Sequence, residues 1–169
     1  MYYKQFDKEV KISNKNFQKI LDFYLFSCPT PQKSFRSKTF EQLGWKGTKQ
    51  FAQLKTLLIS SASNSLKENY HPCKKEELEK HFEAATNIHP IDEYCIFLKS
   101  DKKTVIQSLF SAIRNAFAHG SFSVETYKKT RVYFFANHHD YLKAEIVLQE
   151  KTLLAWIDIL KSGYTPNNN

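Results

Sequence analysis

The sequence predicts a mainly α fold: a bundle of about four to five helices with one β-hairpin between a long helix and the C-terminal helix. Three observations lead there. Glycine and proline are scarce, at four and five in 169 residues, which disfavours a turn-rich all-β architecture. Apolar residues recur at helical spacing in several stretches. Only the stretch 131–148 changes texture, to two runs of β-forming residues around a polar turn. The length suits one domain, 1–169, with its own core. With 41% hydrophobic and 15% aromatic residues, the composition favours a compact protein over disorder. No repeat, low-complexity tract or domain linker interrupts the chain.

In chain order, residues 2–12 read as a mixed, tyrosine-rich arm. Ser13 or Asn14 can cap a helix to about Ser27, with Phe17, Ile20, Leu21, Tyr24 and Leu25 on one side and Pro29 and Pro31 as its stop. Residues 30–47 follow as an irregular loop. Thr48 is the expected cap of a long helix to about Asn69, buried through Phe51, Leu54, Leu58, Ala62 and Leu66. His71 and Pro72 then break the chain. Residues 74–86 make a charged amphipathic helix whose Glu and Lys pairs form a solvated face. The apolar piece from Asp92 to Lys99 is short enough to be helix or strand.

The strongest helix comes next. Ser100 and Asp101 are its expected caps and Gly120 its stop. Apolar residues at 105, 106, 109, 110, 112, 113, 116 and 117 form its inner stripe. After it, the runs 131–136 and 141–148 are read as a hairpin closed by the polar residues 137–140. Residues 150–162 form the last amphipathic helix, ended by Gly163 and Pro166, and 167–169 should fray.

Charge and composition bound the chemistry. The net charge of +8 favours anionic partners only weakly, and a lysine-rich solvated surface is the simpler account of it. Between 30 and 55, Lys33, Arg36, Lys38, Lys46, Lys49 and Lys55 face one acid, Glu41, with Phe35, Phe40 and Trp45 interleaved. Cations for phosphates and rings for bases are what single-stranded RNA requires of a surface. Lys33, Arg36, Lys38, Trp45, Lys46 and Lys49 are therefore candidate RNA contacts. The competing reading is a loop whose rings anchor in the core while its lysines stay wet.

Cys28, Cys73 and Cys95 are widely spaced and odd in number, which fits neither a disulfide framework nor a zinc pattern. Together with the absence of a signal-type apolar run or a membrane-length span, this makes a reduced, cytoplasmic protein the expectation. Glycines at 44, 47, 120 and 163 form no phosphate-binding or dinucleotide fingerprint. No carboxylate pair points to a two-metal nuclease. No cofactor and no metal are expected. His138, His139 and Asp140 read most simply as turn residues.

What remains is the end of the long helix, residues 113–120: Ile, Arg, Asn, Ala, Phe, Ala, His, Gly. Its outer arc holds Gln107, Ser108, Ser111, Asn115 and Ala118. Arg114 is the only charged residue from 104 to 118. A helix face meant only for water carries Lys and Glu; this one suits contact with something. Arg114 and His119 stand about 140° apart on one helix. A two-fold related copy of the helix would bring one chain's arginine to the other's histidine. Such a pair suits RNA cleavage. Histidine transfers protons near neutrality, and arginine forks onto phosphate oxygens. Asn115, one turn before His119, is placed to orient it. A capping or packing histidine at a helix end is the alternative.

Arg114, Asn115 in the polar slot, and Ala118, His119 and Gly120 at the helix end resemble the Arg–(four to six residues)–His motif of the HEPN superfamily. The order helix, hairpin, last helix over roughly 100–165 is similar to small stand-alone prokaryotic defence and toxin members. The resemblance implies an all-helical endoribonuclease acting as a homodimer, with Arg114, Asn115 and His119 catalytic, no metal, and a 2′,3′-cyclic phosphate product. It further implies a role in phage defense or as a toxin, with an antitoxin or a nucleotidyltransferase as protein partner. The alternative it leaves open is a non-catalytic RNA- or nucleotide-binding module. A purely structural dimer face is the third reading.

Overall fold

The computed structural model describes residues 14–29 and 37–166. The fold is α/β, not a mainly α bundle. Among the described residues six α-helices accompany a five-stranded mixed sheet of order β1-β2-β5-β4-β3. The strands are β1 (Tyr70–Cys73), β2 (Tyr94–Leu98), β3 (Phe122–Tyr127), β4 (Thr130–His138) and β5 (Leu142–Gln149). β1 runs parallel to β2, and every other neighbour is antiparallel.

The expected hairpin is present as β4 and β5, and three further strands overturn the bundle. β2, Tyr-Cys-Ile-Phe-Leu, is buried on both faces, so it shows a continuous apolar run with no alternation to mark it. β1 contains Pro72, which reads as a breaker. Among the described residues it has only β2 as a neighbour, and a proline is tolerated on such an edge strand. β3 is joined to β4 through Lys128 and Lys129, both at positive φ (45° and 74°). A two-residue turn of this kind normally announces itself with Asn-Gly; two lysines give no such signal.

The helices are α1 (Lys15–Asp22), α2 (Gly47–Ser60), α3 (Asn64–Glu68), α4 (Leu78–Ala85), α5 (Val105–Ala118) and α6 (Glu150–Ser162). Asn14 caps α1, accepting from the Phe17 N–H at 2.9 Å, and a π-helical turn, Phe23–Ser27, continues it. The expected single helix 48–69 is two, α2 and α3. The break is held by Glu93, a fully buried residue whose Oε2 accepts from the Ser63 N–H at 2.7 Å. Its Oε1 accepts from the Gln149 N–H at 2.8 Å, at the start of α6. One carboxyl group thus satisfies backbone donors at the entries of two helices, which would otherwise be left unpaired. The arm 2–12, residues 30–36 of the irregular loop and the tail 167–169 lie outside the described residues.

Side chains of alternating strand residues enter two cores. On one face, Cys95, Phe97, Tyr133, Phe135, Ile146 and Leu148 pack with α1, α2, α5 and α6. On the other, Tyr94, Ile96, Val132, Phe134 and Val147 meet α4. The Trp156 indole N–H donates to the Leu58 carbonyl at 2.9 Å, tying α6 to α2. Tyr24 stacks on Phe110 at 6.1 Å and donates to the Leu153 carbonyl, tying the π turn to α5 and α6. Among the described residues no helix is long and apolar enough to cross a membrane. All three cysteines are free and buried.

Candidate functional site

α5 begins three residues later than the expected caps. Thr104 is its N-cap: its hydroxyl accepts from the Gln107 N–H, and Gln107 Oε1 accepts from the Thr104 N–H at 2.9 Å. This reciprocal pairing satisfies two donors at the helix start. Ser100 and Asp101 lie in the loop before it.

Its other end is closed as tightly. The Ser121 N–H donates to the Ala116 carbonyl at 2.8 Å and the Gly120 N–H to the Phe117 carbonyl at 3.2 Å, with Gly120 at φ +67°. Those two bonds and the left-handed glycine make a Schellman termination. His119 is the last residue before it, its N–H donating to the Asn115 carbonyl at 3.0 Å. The backbone of the candidate histidine is therefore fixed at the joint between α5 and the sheet.

The side chains divide as the apolar spacing requires. Leu109, Phe110, Ile113, Ala116 and Phe117 are buried against the sheet, the π turn and α6. Arg114, Asn115, Ala118 and His119 are exposed. Among the described residues no side chain hydrogen-bonds or ion-pairs with Arg114, Asn115 or His119, so on one chain these three do not form a bonded cluster. Arg114 lies close enough to Cys28 to act on it: burial pushes the Cys28 thiol up, and the guanidinium opposes that rise.

One residue of this face escaped the sequence reading. Lys103 Nζ donates to Ser111 Oγ at 3.0 Å. It brings a second cation onto the outer face one turn before Arg114 and Asn115. Lys103 precedes the helix and lies eight residues from Ser111, so no helical spacing links them.

The basic stretch is only partly a surface. Lys38, Lys46 and Lys49 are exposed, and Lys33 and Arg36 lie outside the described residues. Trp45 is not the exposed stacking platform expected of it. It is 2% exposed and meets Tyr164 edge-on at 5.4 Å. The irregular chain from 37 to 46 turns inward through Phe40 and Trp45 because large rings bury more area than the loop can leave in water. His139 Nδ1 and Asp140 Oδ2 lie 3.0 Å apart in the β4–β5 turn, both side chains exposed, as turn residues are. Among the described residues no three His, Cys, Asp or Glu side chains are grouped to hold a metal ion.

Compared with known protein families, characterised proteins and solved structures, the chain matches none.

Proposed function

We propose that the protein is a metal-independent endoribonuclease of HEPN type, working as a homodimer with α5 at the interface. The observation that supports this best is the outer face of α5. It presents Arg114, Asn115 and His119 to solvent, among small uncharged residues, on a helix whose two ends are rigidly capped. This helix supports the reading and the fold class does not: the all-helical domain implied by the resemblance is not the architecture found.

In the proposed reaction a histidine takes the proton from the RNA 2′-OH. The 2′-oxygen bonds to phosphorus, the P–O5′ bond breaks, and a proton passes to the leaving 5′-oxygen. The products are a 2′,3′-cyclic phosphate and a 5′-OH. Arg114 of one chain holds the charge that builds on the phosphate oxygens, the term that is often the largest. Asn115 positions His119 or a phosphate oxygen. Lys103 adds positive charge along the same face. A cellular role as a toxin or in phage defense, restrained by an antitoxin, belongs to this reading through the resemblance.

The test uses total cellular RNA in EDTA. Wild type should cleave; Arg114→Ala and His119→Ala, checked for an intact dimer by light scattering, should not. A single 2′-deoxy nucleotide at the cut site should block cleavage. Cleavage of that substrate would sink the mechanism. A folded, inactive wild type that binds RNA or a nucleotidyltransferase through α5 would favour the non-catalytic binding module instead.

A further inference from the structure

Beside α5 lies a depression of about 350 Å³ that the catalytic proposal does not use. It opens between the short turn Glu41–Leu43, the start of α2 and the first half of α5, and it is large enough for a small ligand. Its apolar wall is aromatic, with Phe40 and Phe51 at 5.6 Å and Trp45 beside them. Phe40 and Trp45 are each 2% exposed, so the ring left open to a flat ligand is that of the half-buried Phe51.

Its polar wall has a definite pattern. Gln107 lines the depression, but its Oε1 is committed to the Thr104 N–H. What it has left to offer is its Nε2 donor pair, which bonds no described residue. Lys46 adds an ammonium. Glu41 adds two carboxyl acceptors. The wall therefore combines one acidic acceptor group with an amide and an ammonium donor.

We propose that this depression is a nucleobase site selective for guanine. Guanine carries two adjacent donors, N1–H and the 2-amino group, which a single carboxylate accepts together, and the O6 acceptor beside them for an amide or ammonium donor. Adenine sets an acceptor at N1, which would face the Glu41 carboxylate unpaired. Cytosine and uracil lack the adjacent donor pair with a flanking acceptor in this order. The site also stands in register with the outer face of α5. Gln107 is seven residues before Arg114, about 20° away around the helix and roughly 10 Å along it. A base seated there leaves the phosphate one or two nucleotides along the strand at Arg114. That last link rests on the ribonuclease reading; the binding site itself does not.

Isothermal titration of the intact protein with 5′-GMP, 5′-AMP, 5′-CMP and 5′-UMP tests it. GMP should bind at least about tenfold more tightly than the others, the discrimination that one well-formed paired contact supplies. Glu41→Gln should abolish that preference. Gln107→Glu keeps the acceptor that caps α5 and removes the donors, so it should weaken GMP about tenfold with an unchanged melting temperature. Equal binding of all four nucleotides overturns the proposal. So does the absence of binding at millimolar concentration, or GMP affinity indifferent to both variants. Cleavage without guanine binding would overturn this site alone. Guanine binding by a protein that cuts no RNA would support the site and overturn the nuclease.

Discussion

α5 and α6 are near twins in length and both pack on the same face of the sheet, yet their outer faces differ. α6 shows water Lys151, Asp158 and Lys161, with Asp158 in an exposed pair with Lys19. α5 shows Gln107, Ser111, Arg114, Asn115 and Ala118, with one charge of its own, and Lys103 reaches Ser111 from the preceding loop. A solvated helix face gains little from any single surface pair and tolerates substitution. A face that is polar, small and nearly uncharged is suited to being covered. The contrast between two helices in one core separates a structural helix from a candidate working one.

The largest expected effect breaks that symmetry directly. Arg114→Ala and His119→Ala should each lower RNA cleavage by about 10²–10⁴-fold, while Lys151→Ala and Asp158→Ala on α6 leave it within twofold or so. Gel-based cleavage rates on the four proteins decide it. Equal losses on both helices would end the distinction.

Next in size is the anchoring of the two helix entries. α6 and α3 share Glu93, whereas α5 caps itself through Thr104 and Gln107. Glu93→Ala should cost about 3–5 kcal/mol in urea unfolding, because it strands two buried backbone donors. Thr104→Ala should cost only about 1 kcal/mol, the usual value of a helix cap.

Gly120→Ala sharpens the comparison at the other end. The new methyl meets nothing within 4 Å, but φ is +67°. The left-handed conformation alone should cost about 1–2 kcal/mol. Because it holds His119 at the joint, cleavage should fall by more than stability accounts for. A melting curve beside a rate measurement separates the two.

The smallest effect lies away from both helices. His71 and His81 stack at 4.2 Å between β1 and α4. Burial, and then the neighbouring His81, lower the His71 pKa. A histidine that resists protonation when folded stabilises least in acid. Stability should hold above about pH 6.5, decline as the unfolded chain takes up the proton below that, and level off once the folded protein also protonates. His81→Gln should flatten that decline, read as urea midpoints between pH 7 and 5.

Legibility followed the range of the forces involved. The end of α5, most of its uncharged outer arc, the β4–β5 hairpin and α6 were readable, since helical spacing, a helix-stopping glycine and runs of β-formers act over a few residues; Ser108, placed on that arc, is instead buried, its hydroxyl donating to the Thr104 carbonyl. The start of α5 was misread because Ser100 and Asp101 look as much like caps as Thr104 does; only the reciprocal bond with Gln107 distinguishes them. β2 was ambiguous because a strand buried on both faces has no period. β1 and β3 were missed because Pro72 and the Lys128–Lys129 turn carry the wrong local chemistry for the positions they occupy.

By itself, then, the sequence determined where the best helix stops and that Arg114, Asn115 and His119 face outward, because apolar period and a left-handed glycine are local properties. The sheet, the burial of Trp45, the reach of Lys103 to Ser111 and the depression beside Gln107 were decided only by the tertiary structure. So was the role of Glu93, whose partners lie 30 residues before it and 56 after. Each of these needs groups far apart in the chain to desolvate together. No window of the sequence contains the partner that makes such burial favourable.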